Sequence, residues 1–282
     1  MIDIHLSKKE VSLYTNIIIN SIKTRIDKIK AKGGVVALSG GIDSSLVAVL
    51  AKKALGDRVL ALIMPEEGVS PDTDTNHAKE IVRRFNIPHR EIPINGAIDW
   101  FFNIFPEKEL SKREVKLALL NVKPKIRMII NYLYANLENR IVIGTTNKTE
   151  LLLGYGTKYG DLAADIYPIA DLYKTQVWQL AEFVGIPTEI VKKKPTAGLW
   201  KGQTDEEELG HTYAEIDKIL YTLVEMEFSV KEASEYLGMP ASVIEDIFKR
   251  VKLSEHKRKT PTITRLSRMC LDKDWRYPVE RY

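Results

Sequence analysis

Residues 39–44 read Ser-Gly-Gly-Ile-Asp-Ser, and they stand where an apolar run (35–38) gives way to a helix-competent one. The second run begins at Ile42 or Asp43 and carries Leu46, Val47, Leu50 and Leu55. Two glycines at a strand-to-helix turn let backbone N–H groups approach an anion, and the new helix points its positive end at the same spot. The expected product is a phosphate cradle surrounded by the hydroxyls of Ser39, Ser44 and Ser45. It is not a Walker A loop, because the G-x-x-x-x-G-K-[ST] spacing and its lysine are missing. Asp43 stands there instead. A carboxylate beside a polyphosphate needs a cation between them, so Asp43 reads as a magnesium ligand.

The elements that must position this turn follow from periodicity. Val11, Tyr14, Ile18, Ile22, Ile26 and Ile29 recur at helical spacing over 6–30, and a helix over 42–55 follows the first strand. Residues 58–64 read as a second buried strand, 72–85 as a helix opened by Pro71 and an acidic first turn, and 89–94 as a third strand. A long helix is expected over 113–137, bent at Pro124, and a fourth strand over 140–144. Residues 145–150 (Thr-Thr-Asn-Lys-Thr-Glu) and a loop with Gly154, Gly156 and Gly160 come next. Another helix spans 175–184, and 204–253 reads as helical with a break at 238–240. Alternating strands and helices with short links predict an α/β fold: a doubly wound parallel sheet flanked by helices, with a mainly helical C-terminal region. Ligands in such sheets bind beyond the carboxyl ends of the strands, where strand order switches. The turns at Ser39 and Thr145 both open onto that edge, which brings Asp43 and Glu150 into one cleft as a magnesium pair.

Bulk properties narrow the function classes. The 282 residues suit one large α/β domain, expected here over 1–262, with 263–282 as a tail. A net charge of +4 is mild for that length and gives no nucleic-acid footprint. Neither a signal pattern nor a membrane-length apolar run is present, so no membrane partner and a cytoplasmic location are expected. One cysteine, Cys270, excludes an internal disulfide and a cysteine-only metal cluster. His5, His77, His89 and His211 show no metal-ligand spacing and read as structural.

The 39–44 loop resembles the SGGxDS loop of the ATP pyrophosphatases, which cleave ATP between its α and β phosphates and form adenylated intermediates. Further blocks resemble those of the ammonia-dependent NAD synthetases: 144–150, 154–161, 165–174 (Asp-Ile-Tyr-Pro-Ile-Ala-Asp-Leu-Tyr-Lys), 195–200, 203–210 and 255–258. They occur in that family's order over roughly 10–262. The resemblance implies an adenine nucleotide alpha-hydrolase-like (Rossmann-like) fold and a homodimer. It implies that ATP and magnesium drive amidation of deamido-NAD by free ammonia, through an adenylate, giving NAD, AMP and pyrophosphate. By position it assigns the ATP site to Ala37, Leu38, Ser39, Gly40, Gly41, Ile42, Asp43 and Ser44, with Thr145, Lys174 and Thr196. Magnesium falls to Asp43 and Glu150, and deamido-NAD to Lys125, Lys158, Asp165, His256 and Lys257. Residues 124–128 (Pro-Lys-Ile-Arg-Met) depart from the family's Ala-Arg-x-Arg-Met. Lysine keeps the charge but loses the planar fork, so Arg127 is a candidate substitute for Lys125.

The chemistry accounts for these residue types. Ammonia does not displace oxygen from a carboxylate, so the carboxylate must first become an acyl phosphate derivative. Charge then builds on departing pyrophosphate, which the glycine N–H groups, a cation on Asp43 and Glu150, and Lys174 can stabilise. Asp165 or Asp161 is a candidate acceptor for the ammonium proton. A lone thiol without a catalytic surround implies free ammonia rather than glutamine as donor. Two alternatives remain open at this point. A tRNA thiolase of the same superfamily would need paired thiols and a basic face. A nucleotide sensor would need neither Glu150 nor Lys174.

Overall fold

In the computed structural model, residues 3–104, 106, 112–196 and 204–268 are described. Four parallel strands form the centre: β1 (Gly33–Ala37), β2 (Val59–Ile63), β3 (His89–Glu91) and β4 (Arg140–Val142), in the spatial order β3-β2-β1-β4. Val35 registers with Leu60 on one side and Val142 on the other. The strand order therefore reverses at β1 and β4, and a crevice opens beyond their carboxyl ends.

The helices in chain order are α1 (Lys8–Lys28), α2 (Ile42–Leu55), α3 (Asp72–Arg84), α4 (Asn95–Phe102), α5 (Arg113–Leu137), α6 (Lys148–Leu153) and α7 (Lys174–Val184). After these come α8 (Thr188–Val191), α9 (Asp205–Leu209), α10 (Tyr213–Val224), α11 (Val230–Leu237), α12 (Ala241–Leu253) and α13 (Glu255–Arg258). Strand alternation decides which layer each apolar residue joins. Val36, Leu38, Val59, Ala61 and Ile63 pack with α1, α2 and α7, whereas Val35, Leu60, Leu62 and Met64 pack with α4 and α5. Both faces are covered, which is why these strands read as unbroken apolar runs. A third cluster joins Leu153 and Tyr173 to α10, α11 and α12, so the C-terminal helices rest on the segment that carries Glu150.

Several boundaries differ from the sequence reading. β3 ends at Glu91, ahead of Pro93, which lacks a ladder donor. β4 ends at Val142, and Ile143 continues only as an isolated bridge to Ile166. The 204–253 stretch is four helices rather than one broken helix, because Gly210, Ser229 and Gly238 cap separate ends. α5 runs unbroken through Pro124, which packs close to Gly160. Helices α4 and α6 were not anticipated. Cys270, the 197–200 and 203 portions of the matched blocks, and 269–282 lie outside the described residues.

Candidate active site

The Ser39 turn is braced by its own hydroxyls. Ser44 Oγ accepts from the Ser39 N–H at 3.2 Å, donates to the Gly41 carbonyl at 3.1 Å and lies 3.0 Å from Ser39 Oγ. Gly40 has φ +86°, and a Cβ there would lie 2.0 Å from the carbonyl oxygen of Asp74. Only glycine allows α3 to press its first turn against the loop.

One carboxyl pair is assembled from distant elements. Asp43 comes from the first turn of α2, Glu150 from α6 and Lys174 from the start of α7. Lys174 Nζ donates to Asp43 Oδ2 at 2.5 Å and to Glu150 Oε1 at 3.1 Å, with the lysine only 2% exposed. The two carboxylates thus face one point. Asn147, fully buried, aims them: its Nδ2 donates to Asp43 Oδ1 at 2.9 Å, and its Oδ1 accepts the Glu150 N–H at 3.0 Å as the cap of α6.

Electrostatics follow from this packing. Burial pushes Glu150 up to about 7, Lys174 pulls it back, and Asp43 adds to the rise. Burial works against the Lys174 ammonium, but Asp43 and Glu150 outweigh it and hold its pKa above the ordinary value. Among the described residues no group of three or more acidic, histidine or cysteine side chains has metal-holding geometry. Two hard oxygen donors converging on one cationic point nevertheless fit magnesium, which takes few protein carboxylates and completes its shell with phosphate and water.

A cleft of about 540 Å³ opens around this point. Ala37, Leu38, Ser39, Gly41, Ile42, Asp43, Ser44, Thr145, Glu150, Lys174 and Thr196 line it, while Gly40 forms the back of the loop. Of the residues expected for the second substrate, Lys257 lines the cleft and donates to the carbonyls of Gly154 and Gly156 at 2.6 and 2.7 Å. Lys158 and His256 sit 3.4 Å from each other off the cleft lining, Lys158 half-buried and His256 exposed. Asp165 lies along β4, where its carboxylate accepts the Val142 N–H at 2.7 Å. Asp161 lines the cleft, accepts the Thr157 N–H at 2.9 Å and is raised in pKa by burial. Lys125 is exposed on α5, whereas Arg127 lines the cleft and donates to the Met64 carbonyl at 3.1 Å.

Four residues in or directly beneath the cleft had escaped the sequence reading. Asn147 carried a legible signal, since Asn147 and Glu150 have capping-box spacing. Lys193 and Asp74 pair across the cleft mouth, 119 residues apart, and no local pattern announces that pair. Asp205, from α9, accepts hydrogen bonds from the hydroxyls of Tyr155 and Tyr213 at 3.0 Å each.

The family model described as NAD synthase matches residues 14–261. A protein of Methanosarcina mazei named NH(3)-dependent NAD(+) synthetase is 44% identical over 252 residues, covering 89% of this chain and 97% of that one. Among solved structures, an NMN synthetase from Francisella tularensis is 35% identical with a TM-score of 0.76, covering 93% of this chain and 100% of that one. An NH3-dependent NAD synthetase from Campylobacter jejuni, in complex with nitrate ion, is 31% identical with a TM-score of 0.75, covering 90% of this chain and 99% of that one.

Proposed function

The chain belongs to the NAD synthase family, and from that premise we propose that it amidates deamido-NAD with free ammonia at the expense of ATP. The observation that carries this reading is the convergence of Asp43, Glu150 and Lys174 beside the glycine bend. The nicotinate carboxylate oxygen attacks the α-phosphorus, the bond to the β-phosphate oxygen breaks, and pyrophosphate leaves. Ammonia then attacks the acyl carbon, the bond to the AMP oxygen breaks, and a proton passes from nitrogen to a base.

Each step asks something of this chain. Backbone donors of the 39–44 turn and the Lys174 ammonium face the leaving pyrophosphate, where developing charge is greatest. Because Lys174 shares both carboxylates, its ammonium can pass to a phosphate oxygen once those acids are otherwise neutralised. Asp43 and Glu150 would hold magnesium, which when bound neutralises triphosphate charge. Thr145 and Thr196 flank the nucleotide. Lys257 supplies positive charge toward the dinucleotide, with Lys158 and His256 at the rim. Arg127, rather than exposed Lys125, reaches the second substrate within one subunit. Asp161 is the better-placed acid for the ammonium proton, since each carboxylate accepts a backbone N–H but only that of Asp161 lines the cleft.

The working form proposed is a homodimer. Ile129, Leu133 and Leu137 recur one turn apart on α5 and are 56%, 59% and 74% exposed, a stripe suited to a second copy.

Product analysis tests the reading. With magnesium, ATP, ammonium and deamido-NAD, equal amounts of NAD, AMP and pyrophosphate are expected. A parallel arm with nicotinate mononucleotide is needed because one similar structure is named an NMN synthetase. Faster turnover of the mononucleotide would replace deamido-NAD as the substrate, and formation of ADP and phosphate would overturn the pyrophosphatase chemistry.

A further inference from the structure

Asp217 lies on α10, outside every motif used above, and is fully buried. Its Oδ1 accepts the Thr149 hydroxyl at 2.5 Å. Its Oδ2 accepts both the backbone N–H and the hydroxyl of Thr175, at 2.8 and 2.9 Å. The Thr149 hydroxyl in turn accepts the backbone N–H of Lys174 at 3.0 Å. Thr149 immediately precedes Glu150, and Thr175 immediately follows Lys174. A buried carboxylate is costly unless donors surround it. Here three donors are supplied, and all come from the neighbours of the two residues that converge in the cleft.

We propose that Asp217 is a positioning residue: through Thr149 and Thr175 it ties the first turns of α6 and α7 together and so sets the spacing of Glu150 and Lys174 around Mg·ATP. Glu150 and Lys174 stand on those first turns, while Asp161 belongs to another segment and Lys257 meets α6 only at its opposite end, through the Gly154 carbonyl. Loss of the tie should therefore weaken one substrate and spare the other. This rests on the amidation reading only in taking ATP as the nucleotide.

The test is calorimetric titration of the full chain with Mg·ATP, alongside KM for each substrate and the melting temperature. D217N keeps the shape and removes the charge; T149V keeps the shape and removes the hydroxyl that joins the two helices. In each variant Mg·ATP affinity is expected to fall on the order of tenfold, the scale of one charge-assisted hydrogen bond. KM for deamido-NAD should stay within about twofold, and the double variant should be no worse than the weaker single, because both act through one bridge. Wild-type affinity in both variants overturns the proposal, as does equal weakening toward both substrates in step with lost stability. If D217N does not fold, T149V decides alone. The titration needs no turnover, so a chain that failed to amidate deamido-NAD would still give the answer for Asp217.

Discussion

Lys174 is the residue on which the site's charges meet, and it separates what the sequence exposes from what it conceals. K174M removes the cation facing the leaving group, so kcat is expected to fall by ~10²–10³ at saturating ATP, the usual effect of removing one such stabilising group; a loss under about tenfold would contradict its assignment. Glu150 gives a pH prediction. Its pKa is raised from the ordinary 4.5 to about 7, with burial the main cause. Between those values the folded chain keeps a proton that the unfolded chain has released. Stability without magnesium is therefore expected to fall as pH rises through that window. E150Q cannot ionise, and melting curves from pH 4.5 to 7 should show a flatter slope for it; an unchanged slope would remove Glu150 as the source. Asp43 was legible because an acid beside two glycines is odd. That Lys174 pairs with both acids was not legible, since 131 and 24 residues separate the partners and only folding joins them.

At the scale of elements, the strands and long helices could be read because burial on both sheet faces leaves continuous apolar runs. Short helices escaped. α6 has six residues, too few to show a period, yet it positions Glu150. Its cap residue, Asn147, does two jobs, which makes N147A the informative change. Losing the cap costs about 1 kcal/mol, and losing the buried hydrogen bond to Asp43 adds about 1–2 kcal/mol. For a chain of this size the combined loss corresponds to a melting decrease of roughly 3–5 °C, with Mg·ATP binding weakened as Asp43 loses its orientation. A variant that lost stability but bound Mg·ATP normally would show that the cap matters and the aim does not. The splitting of 204–253 into four helices was hidden for a different reason. Its breaks rely on a left-handed Gly210 and on the Ser229–Glu232 capping box, both inside an otherwise periodic stretch.

At the scale of the whole molecule, the helical C-terminal layer braces the segment that carries Glu150 rather than hanging from the fold as an appendage. It carries Asp217 and Asp205, and Lys257 and Arg258 reach back to the carbonyls of the 151–156 segment. The α5 stripe makes oligomeric state a prediction at this scale: light scattering should give the mass of two chains, and L133E should give one. A wild-type monomer would leave that stripe without the partner proposed for it. The central claim is that the substrate carboxylate is activated by transfer of AMP, and oxygen isotopes follow that transfer atom by atom. Deamido-NAD labelled with ¹⁸O in its nicotinate carboxylate, turned over with ATP, magnesium and ammonium, should deliver one labelled oxygen to the phosphate of AMP and none to pyrophosphate. Label in pyrophosphate, or AMP free of label, would contradict the account.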